Sequence, residues 1–181
     1  MLVIPGKDFF FVRHAETDHN QADLKIDQSA DVRINTHGRN QAYALKPILG
    51  QIPFRTICSS PLTRALETAK ILASDSEANF HIIDDFTECN MCEWNEMVKF
   101  KVNAALSPKV QHFVDDIQNG IMQVLSHPAP TLLVAHGGCY WALCYLLGIE
   151  SQDWVVGNCV LVHFSSDTNS RWSINYILNE M

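Results

Sequence analysis

The sequence predicts an α/β sandwich around a largely parallel sheet, with one domain over residues 1–181. Two observations carry that expectation. Short apolar or β-branched runs alternate with longer segments whose apolar residues recur at helical spacing, the pattern of parallel strands joined by crossover helices. The chain of 181 residues is long enough for one substantial core, and no repeat, low-complexity tract or linker divides it.

The first strand is placed at 8–13, where the apolar run Phe9-Phe10-Phe11-Val12 is closed by Arg13 and His14. A helix over 36–49 follows. Thr56-Ile57-Cys58 supplies the β-branched centre of a strand at 55–59. The next helix, 61–74, has Ser60 as N-cap and Pro61 at its first position, which sets Arg64 about one turn inside, near the positive end. Phe80-His81-Ile82-Ile83 marks a strand at 80–84. Over 109–127, Val110, Phe113, Val114, Ile117, Ile121, Val124 and Leu125 form one stripe at helical spacing. Thr131-Leu132-Leu133-Val134-Ala135 is a strand at 131–135 ending at His136, and Gly137 and Gly138 open a helix over 137–147. Strands near 159–165 and 171–178, joined by the turn-rich Ser165-Ser166-Asp167-Thr168-Asn169-Ser170, form an antiparallel hairpin at one edge. The stretches 15–36 and 89–108 are irregular, and long loops beyond strand ends commonly carry function.

Composition narrows the function. The chain is 47% hydrophobic and 18% charged, as ordinary globular proteins are. A net charge of −7 argues against nucleic acid or an anionic membrane as a broad partner, so a basic pocket must be local, built from Arg13, Arg64 and a choice among Lys7, Arg33 and Arg39. No apolar run approaches the length of a membrane span, and the first residues lack a signal peptide's basic and apolar regions. Cys89-x-x-Cys92 has no second pair to complete a zinc site, and reduced thiols in a cytoplasmic enzyme account for the six cysteines.

The chemistry concentrates at strand ends, where side chains of an open α/β sheet project into the ligand crevice. A guanidinium fork such as Arg13 suits phosphate oxygens, and a neutral imidazole such as His14 can attack phosphorus. Glycines at 137 and 138 let backbone N–H groups approach an anion closely. The acidic stretch Asp84-Asp85-Phe86-Thr87-Glu88 supplies carboxylates for proton transfer. No paired carboxylates have metal-site spacing, so neither metal nor cofactor is expected. His19, His37, His81, His112, His127 and His163 lie in no motif and are read as ordinary residues. Trp94, Tyr140 and Trp141 fit either the pocket wall or the core.

Five blocks together resemble the histidine phosphatase superfamily, the phosphoglycerate mutase-like proteins. Arg13-His14-Ala15-Glu16-Thr17-Asp18-His19-Asn20 is similar to the family's Arg-His-Gly-x-Thr-x-x-Asn, and Thr36-His37-Gly38-Arg39-Asn40-Gln41-Ala42 to its next helix start. Ser59-Ser60-Pro61-Leu62-Thr63-Arg64-Ala65-Leu66-Glu67-Thr68-Ala69 matches the third block at every specified position. Phe86 to Trp94 parallels the fourth, and His136-Gly137-Gly138 the last. Each block alone is weak evidence; five in family order, from 13 to 138, are specific. The departures are Ala15 for glycine, Cys92, Asn95 and Glu96 for glycine, glutamate and glycine, and the bulky Tyr140 and Trp141. They bear on the substrate and leave the reacting groups in place.

The resemblance implies a phosphoglycerate mutase-like, three-layer α/β/α fold with a small lid around 89–108. It further implies a metal-independent phosphatase without cofactor. His14 is the nucleophile that carries the phosphoryl group. Arg13, Arg64, His136 and Asn20 hold the oxygens, with Thr17 and Gly137 as further substrate contacts. Glu88 is the general acid and then base, with Asp84 or Asp85 as the rival acids. The partner implied is a phosphorylated small molecule or a phosphoprotein. The alternatives are a mutase-type phosphotransferase, a protein phosphohistidine phosphatase, and a binding relative without activity.

Overall fold

The computed structural model describes residues 4–20, 31–100, 105–149 and 155–177. Six strands form one sheet: β1 (Phe9–Arg13), β2 (Thr56–Ser59), β3 (Asn79–Ile82), β4 (Thr131–Ala135), β5 (Leu161–Ser166) and β6 (Trp172–Ile177). Their order is β3-β2-β4-β1-β5-β6. The first four are mutually parallel; β5 is antiparallel to β1 and to β6, which gives the expected edge hairpin. Position 178 of that expected strand lies outside the described residues.

Among the described residues five α-helices connect or flank the strands: α1 (Thr36–Leu49), α2 (Thr63–Ala73), α3 (Met91–Met97), α4 (Pro108–Ser126) and α5 (Gly137–Leu146). Because strand side chains alternate between faces, the strands other than β3 feed two cores. Val12, Ile57, Leu132, Val134 and Leu161 pack with α1 and α2 residues such as Leu45 and Leu72. Phe9, Phe11, Cys58, Leu133 and Phe164 pack with α4 and α5 on the other face. The sheet is thus the middle of three layers, as the family resemblance implies.

Local sequence explains most boundaries. Asn35 caps α1, its side chain accepting the Gly38 N–H, and Ser107 caps α4 ahead of Pro108. The predicted stripe of α4 is buried in full. Almost all of α5 is buried, as expected of a helix that is apolar all round.

Two expectations need correction. The stretch 89–108 contains the helix α3, which begins with a capping box: Asn90 accepts from Cys92 and Glu93 N–H groups, and Glu93 accepts the Asn90 N–H at 2.9 Å. Residues 101–104 of that stretch, and 21–30 of the other irregular stretch, lie outside the described residues. Second, α2 starts at Thr63 rather than 61, with Leu62 at the cap position and Arg64 already in the first turn. Ser60 is not its cap: its Oγ accepts the N–H of Leu62, the residue ahead of the helix, at 3.3 Å. Asp31 instead accepts both the N–H and the hydroxyl of Thr63.

Candidate active site

Parallel pairing decides which residues meet. The register Arg13↔Ala135 sets His14 and His136, the residues that follow β1 and β4, side by side. The His14 N–H donates to the Ala135 carbonyl at 2.9 Å, and the ring centroids are 5.2 Å apart. Helix α1 leaves β1 toward one face and α5 leaves β4 toward the other, so this is where the helices diverge and a crevice opens. Ser60 follows β2 at the same edge, with its N–H on the Val134 carbonyl. Arg13, His14, Thr17, His19, Asn20, Val32, Arg64 and Glu88 line a single small cavity there. The sequence reading named six of these eight as site residues; His19 was read as ordinary, and Val32 carried no signal.

Each reacting group is held by several contacts. His14 Nδ1 is 2.8 Å from the Ala15 carbonyl, which can only accept, so Nδ1 carries the proton and Nε2 keeps its lone pair. The Ala15 N–H donates to Thr68 Oγ, which donates to the Arg64 carbonyl, tying the loop after β1 to α2. Asn158, which the sequence reading passed over, donates to the His14 carbonyl at 2.8 Å. Gly38 permits α1 to approach this loop, since a Cβ there would overlap the Glu16 carbonyl oxygen. Gln41 accepts the Glu16 N–H. The second motif block is therefore scaffolding for the first.

Arg13 is pinned by a bond from Nη1 to the Val156 carbonyl at 3.0 Å, while its buried Nε has no partner. Burial lowers Arg13 and Arg64 from the usual guanidinium value, with Glu88 opposing. His136 is fully buried, Nε2 lies 2.7 Å from Ser60 Oγ, and Nδ1 has no partner. Burial first, then the Arg13 and Arg64 guanidiniums, hold His14 well below the ordinary histidine value; burial, then the His14 imidazole and the same guanidiniums, do so for His136, so both are neutral near pH 7.

Glu88 departs most from expectation in how it is held. Its Oε1 accepts from Cys89 N and Gly138 N at 3.1 Å each, and Oε2 from Gly138 N at 3.3 Å. The anion that Gly138 approaches is thus this carboxylate rather than a ligand. Burial raises the Glu88 carboxyl above its usual range, against the pull of Arg64, the Gly138 N–H and Arg13. The rival acids lie apart: Asp84 is exposed and Asp85 accepts from Gln123. Thr17 and Asn20 satisfy one another, since Asn20 Oδ1 accepts from both the N–H and the hydroxyl of Thr17. Gly137 sits beside Arg13, where a Cβ would lie 3.7 Å from the guanidinium carbon and 3.6 Å from Trp94.

Several other candidates separate from the site. Lys7 donates to the Leu125 and His127 carbonyls at the end of α4. Arg33 and Arg39 pair with Glu67 at 3.7 and 3.6 Å. Tyr140 and Trp141 are core residues. His19, in contrast, belongs to the cavity wall, and its buried Nδ1 has no partner. Among the described residues no group of three or more His, Cys, Asp or Glu is placed to hold a metal ion, and no helix is long and apolar enough to cross a membrane.

Comparison with known proteins shows the family and the fold. The profile of the histidine phosphatase superfamily (branch 1) matches residues 9–178. A glucosyl-3-phosphoglycerate phosphatase from Mycolicibacterium vanbaalenii is 28% identical over 190 residues, covering 88% of this chain and 84% of that protein. An agropine synthesis reductase from Rhizobium rhizogenes is 26% identical over 172 residues, covering 87% of this chain. This chain spans only 39% and 41% of two reductases of that name, so the matched region is a minor part of each. The crystal structure of a phosphoserine phosphatase from Entamoeba histolytica, in complex with 3-phosphoglyceric acid, superimposes with a TM-score of 0.73. It is 19% identical, with 96% of this chain and 98% of that chain covered.

Proposed function

Since the chain belongs to the histidine phosphatase superfamily, we propose that it is a metal-independent phosphomonoester hydrolase that works through a phosphohistidine on His14. The observation that carries this reading is the His14 Nδ1 bond to the Ala15 carbonyl, which leaves Nε2 as a lone pair near the half-buried Arg13 and the buried Arg64 guanidiniums. In the first step the Nε2–P bond forms and the P–O bond to the leaving group breaks, with the Glu88 carboxyl giving its proton to the departing oxygen. In the second, water attacks phosphorus, its proton passes to the Glu88 carboxylate, and the N–P bond breaks. Arg13, Arg64 and His136 hold the phosphoryl oxygens through both steps, because phosphoryl transfer depends mostly on positioning and charge stabilisation. Thr17, Asn20 and Gly137 complete the contacts to substrate.

Burial moves the pKa values of the two titrating groups toward one another. An ordinary glutamate is deprotonated where an ordinary histidine is still charged. Here Glu88 is raised and His14 lowered, which favours the pair the first step needs, a protonated acid and a neutral nucleophile.

The substrate proposed is a small phosphorylated metabolite, the class named for the mycobacterial relative. Six free thiols fit a reducing, cytoplasmic setting. The test is a release assay over a panel of phosphorylated metabolites and phosphohistidine peptides, with His14→Ala as control. Free phosphate from one compound class, absent in the variant, is the expected result. Isomerised 3-phosphoglycerate without free phosphate would replace hydrolysis with the mutase reading.

A further inference from the structure

Ser60 sits where the sequence expects a helix cap, but the helix begins three residues later, at Thr63. It is fully buried, and its Oγ lies 2.7 Å from His136 Nε2 while accepting the Leu62 N–H at 3.3 Å. A hydroxyl has one proton to give and two lone pairs. The Leu62 amide can only donate, so it occupies one lone pair. The hydroxyl proton then needs an acceptor, and the nearest among the described residues is His136 Nε2. With the roles reversed, Ser60 would accept twice and its own buried proton would go unused, which costs stability.

We propose that Ser60 is a positioning residue that fixes the tautomer of His136, placing the ring proton on Nδ1. That nitrogen is buried and has no protein partner. As an N–H it donates to a phosphoryl oxygen; as a lone pair it would repel one.

The neighbouring imidazole supplies the contrast. His14 spends its Nδ1–H on the Ala15 carbonyl and offers the Nε2 lone pair. His136 receives the Ser60 proton at Nε2 and offers Nδ1–H. Two neutral rings 5.2 Å apart are thereby given opposite work, one to attack phosphorus and one to donate to its oxygens. The chain needs a side-chain hydroxyl at 60 because a backbone carbonyl in its place cannot donate.

The catalytic half of this inference rests on the proposed phosphatase reading, whereas the tautomer half does not. The experiment therefore measures both. In ¹⁵N-histidine-labelled wild type, long-range ¹H–¹⁵N correlation spectra should show His136 with a pyridine-type Nε2 and a pyrrole-type Nδ1. In Ser60→Ala the pattern should move toward an Nε2–H form or an exchanging mixture, with His14 unchanged. Turnover should fall roughly 10- to 100-fold, less than for loss of the ring itself, since the wrong tautomer misdirects one donor. A pyrrole-type Nε2 in the wild type overturns the inference even if the variant does not fold. So does an unchanged His136 pattern in a folded Ser60→Ala. If the wild type hydrolyses nothing while the tautomer shift is as expected, the hydrolase reading fails and the role of Ser60 stands.

Discussion

At the carboxyl edge of the sheet, Arg13, His14, Thr17, Arg64 and Glu88 enclose about 10 Å³, about the room one water occupies. At the amino edge, a hollow of about 710 Å³ opens between α1, α2 and the starts of β2 and β4, with Tyr43, Phe54, Ile57 and Leu72 among its walls. The larger space has the quieter chemistry. Its lysine, Lys46, is spent on Asp75 at 2.7 Å and Ser74 at 2.6 Å. The smaller space holds His14, Arg64 and Glu88, each at most 7% exposed, with pKa values displaced by burial. The buried unpartnered side-chain atoms among the described residues, Arg13 Nε, His19 Nδ1 and His136 Nδ1, belong to residues of this cavity or beside it. On the proposed reading size and function come apart here, because catalysis wants charged groups held close and dry.

The sharpest way to break this contrast is to remove the nucleophile. His14→Ala should lower turnover by on the order of 10⁴–10⁶-fold, the scale for deleting a covalent nucleophile. An acid-labile phosphoenzyme, trapped by rapid quench with ³²P-labelled substrate, should vanish with it. The fold should not suffer. Burial depresses the folded pKa of His14, so below pH 6.5 the unfolded chain binds the proton first and wild-type stability falls with pH. The variant should lose less of its melting temperature than wild type as pH drops through that range. Label persisting on the alanine variant would move the nucleophile elsewhere.

Glu88→Gln asks whether the buried carboxyl acts as an acid or only fills space. A general acid contributes about 10²–10⁴-fold, most when the leaving group is poor. The glutamine variant should lose far more on an alkyl phosphate than on nitrophenyl phosphate, which departs readily as the anion. In wild type, kcat/KM should fall at low pH as His14 becomes protonated and at high pH as Glu88 loses its proton. The alkaline limb should be absent in the variant. Equal losses on both substrates, with both limbs intact, would reduce Glu88 to a structural carboxylate.

Gly138→Ala strikes the same carboxylate through its support. A Cβ there would overlap Glu88 Oε1 and lie 2.6 Å from Cys89 Sγ, both buried and backed by α5. Overpacking of this kind costs about 1–3 kcal/mol, readable as a lower midpoint in urea. Activity should drop about tenfold or more on alkyl phosphates, as Glu88 leaves the Gly138 N–H. Gly137→Ala, whose Cβ meets nothing closer than 3.6 Å, should be far milder in stability.

How far the sequence foretold these two regions differs for physical reasons. Arg13, His14 and His136 were legible because they end apolar strands, and parallel register then makes neighbours of residues 14 and 136 without further information. Glu88 came with its motif, but its tie to Gly138 crosses from one strand end to another, and no local pattern encodes that pairing. Ser60 was misread because a Ser-Pro step is a good local helix start. The helix begins at Thr63 instead, and Ser60 Oγ combines the local Leu62 N–H with a tertiary contact to His136 that no local pattern encodes. α3 was missed although Asn90-x-x-Glu93 spells its capping box, since seven residues give too few turns for periodicity to register. The amino-edge hollow left no trace in sequence at all: it is a gap between α1 and α2, and gaps have no composition.

The smallest expected effect tests whether that hollow matters to the chemistry. Tyr43 stands on its wall and is 58% exposed, so trimming the ring removes little buried area and leaves no cavity. Tyr43→Ser should keep kcat/KM within about twofold and stability within about 0.5 kcal/mol, the usual range for surface changes away from caps, cores and charge networks. The residue lies on α1, the helix whose start supports the loop after β1 through Gln41 and Gly38. If the hollow acted on the site, α1 would be its route. A variant that kept its melting temperature yet lost tenfold in kcat with unchanged KM would show the two edges to be coupled through that helix. Unchanged kinetics across the full substrate panel would leave the carboxyl edge independent of the hollow, its groups positioned by the ends of β1, β2 and β4 and by the starts of α1, α2 and α5.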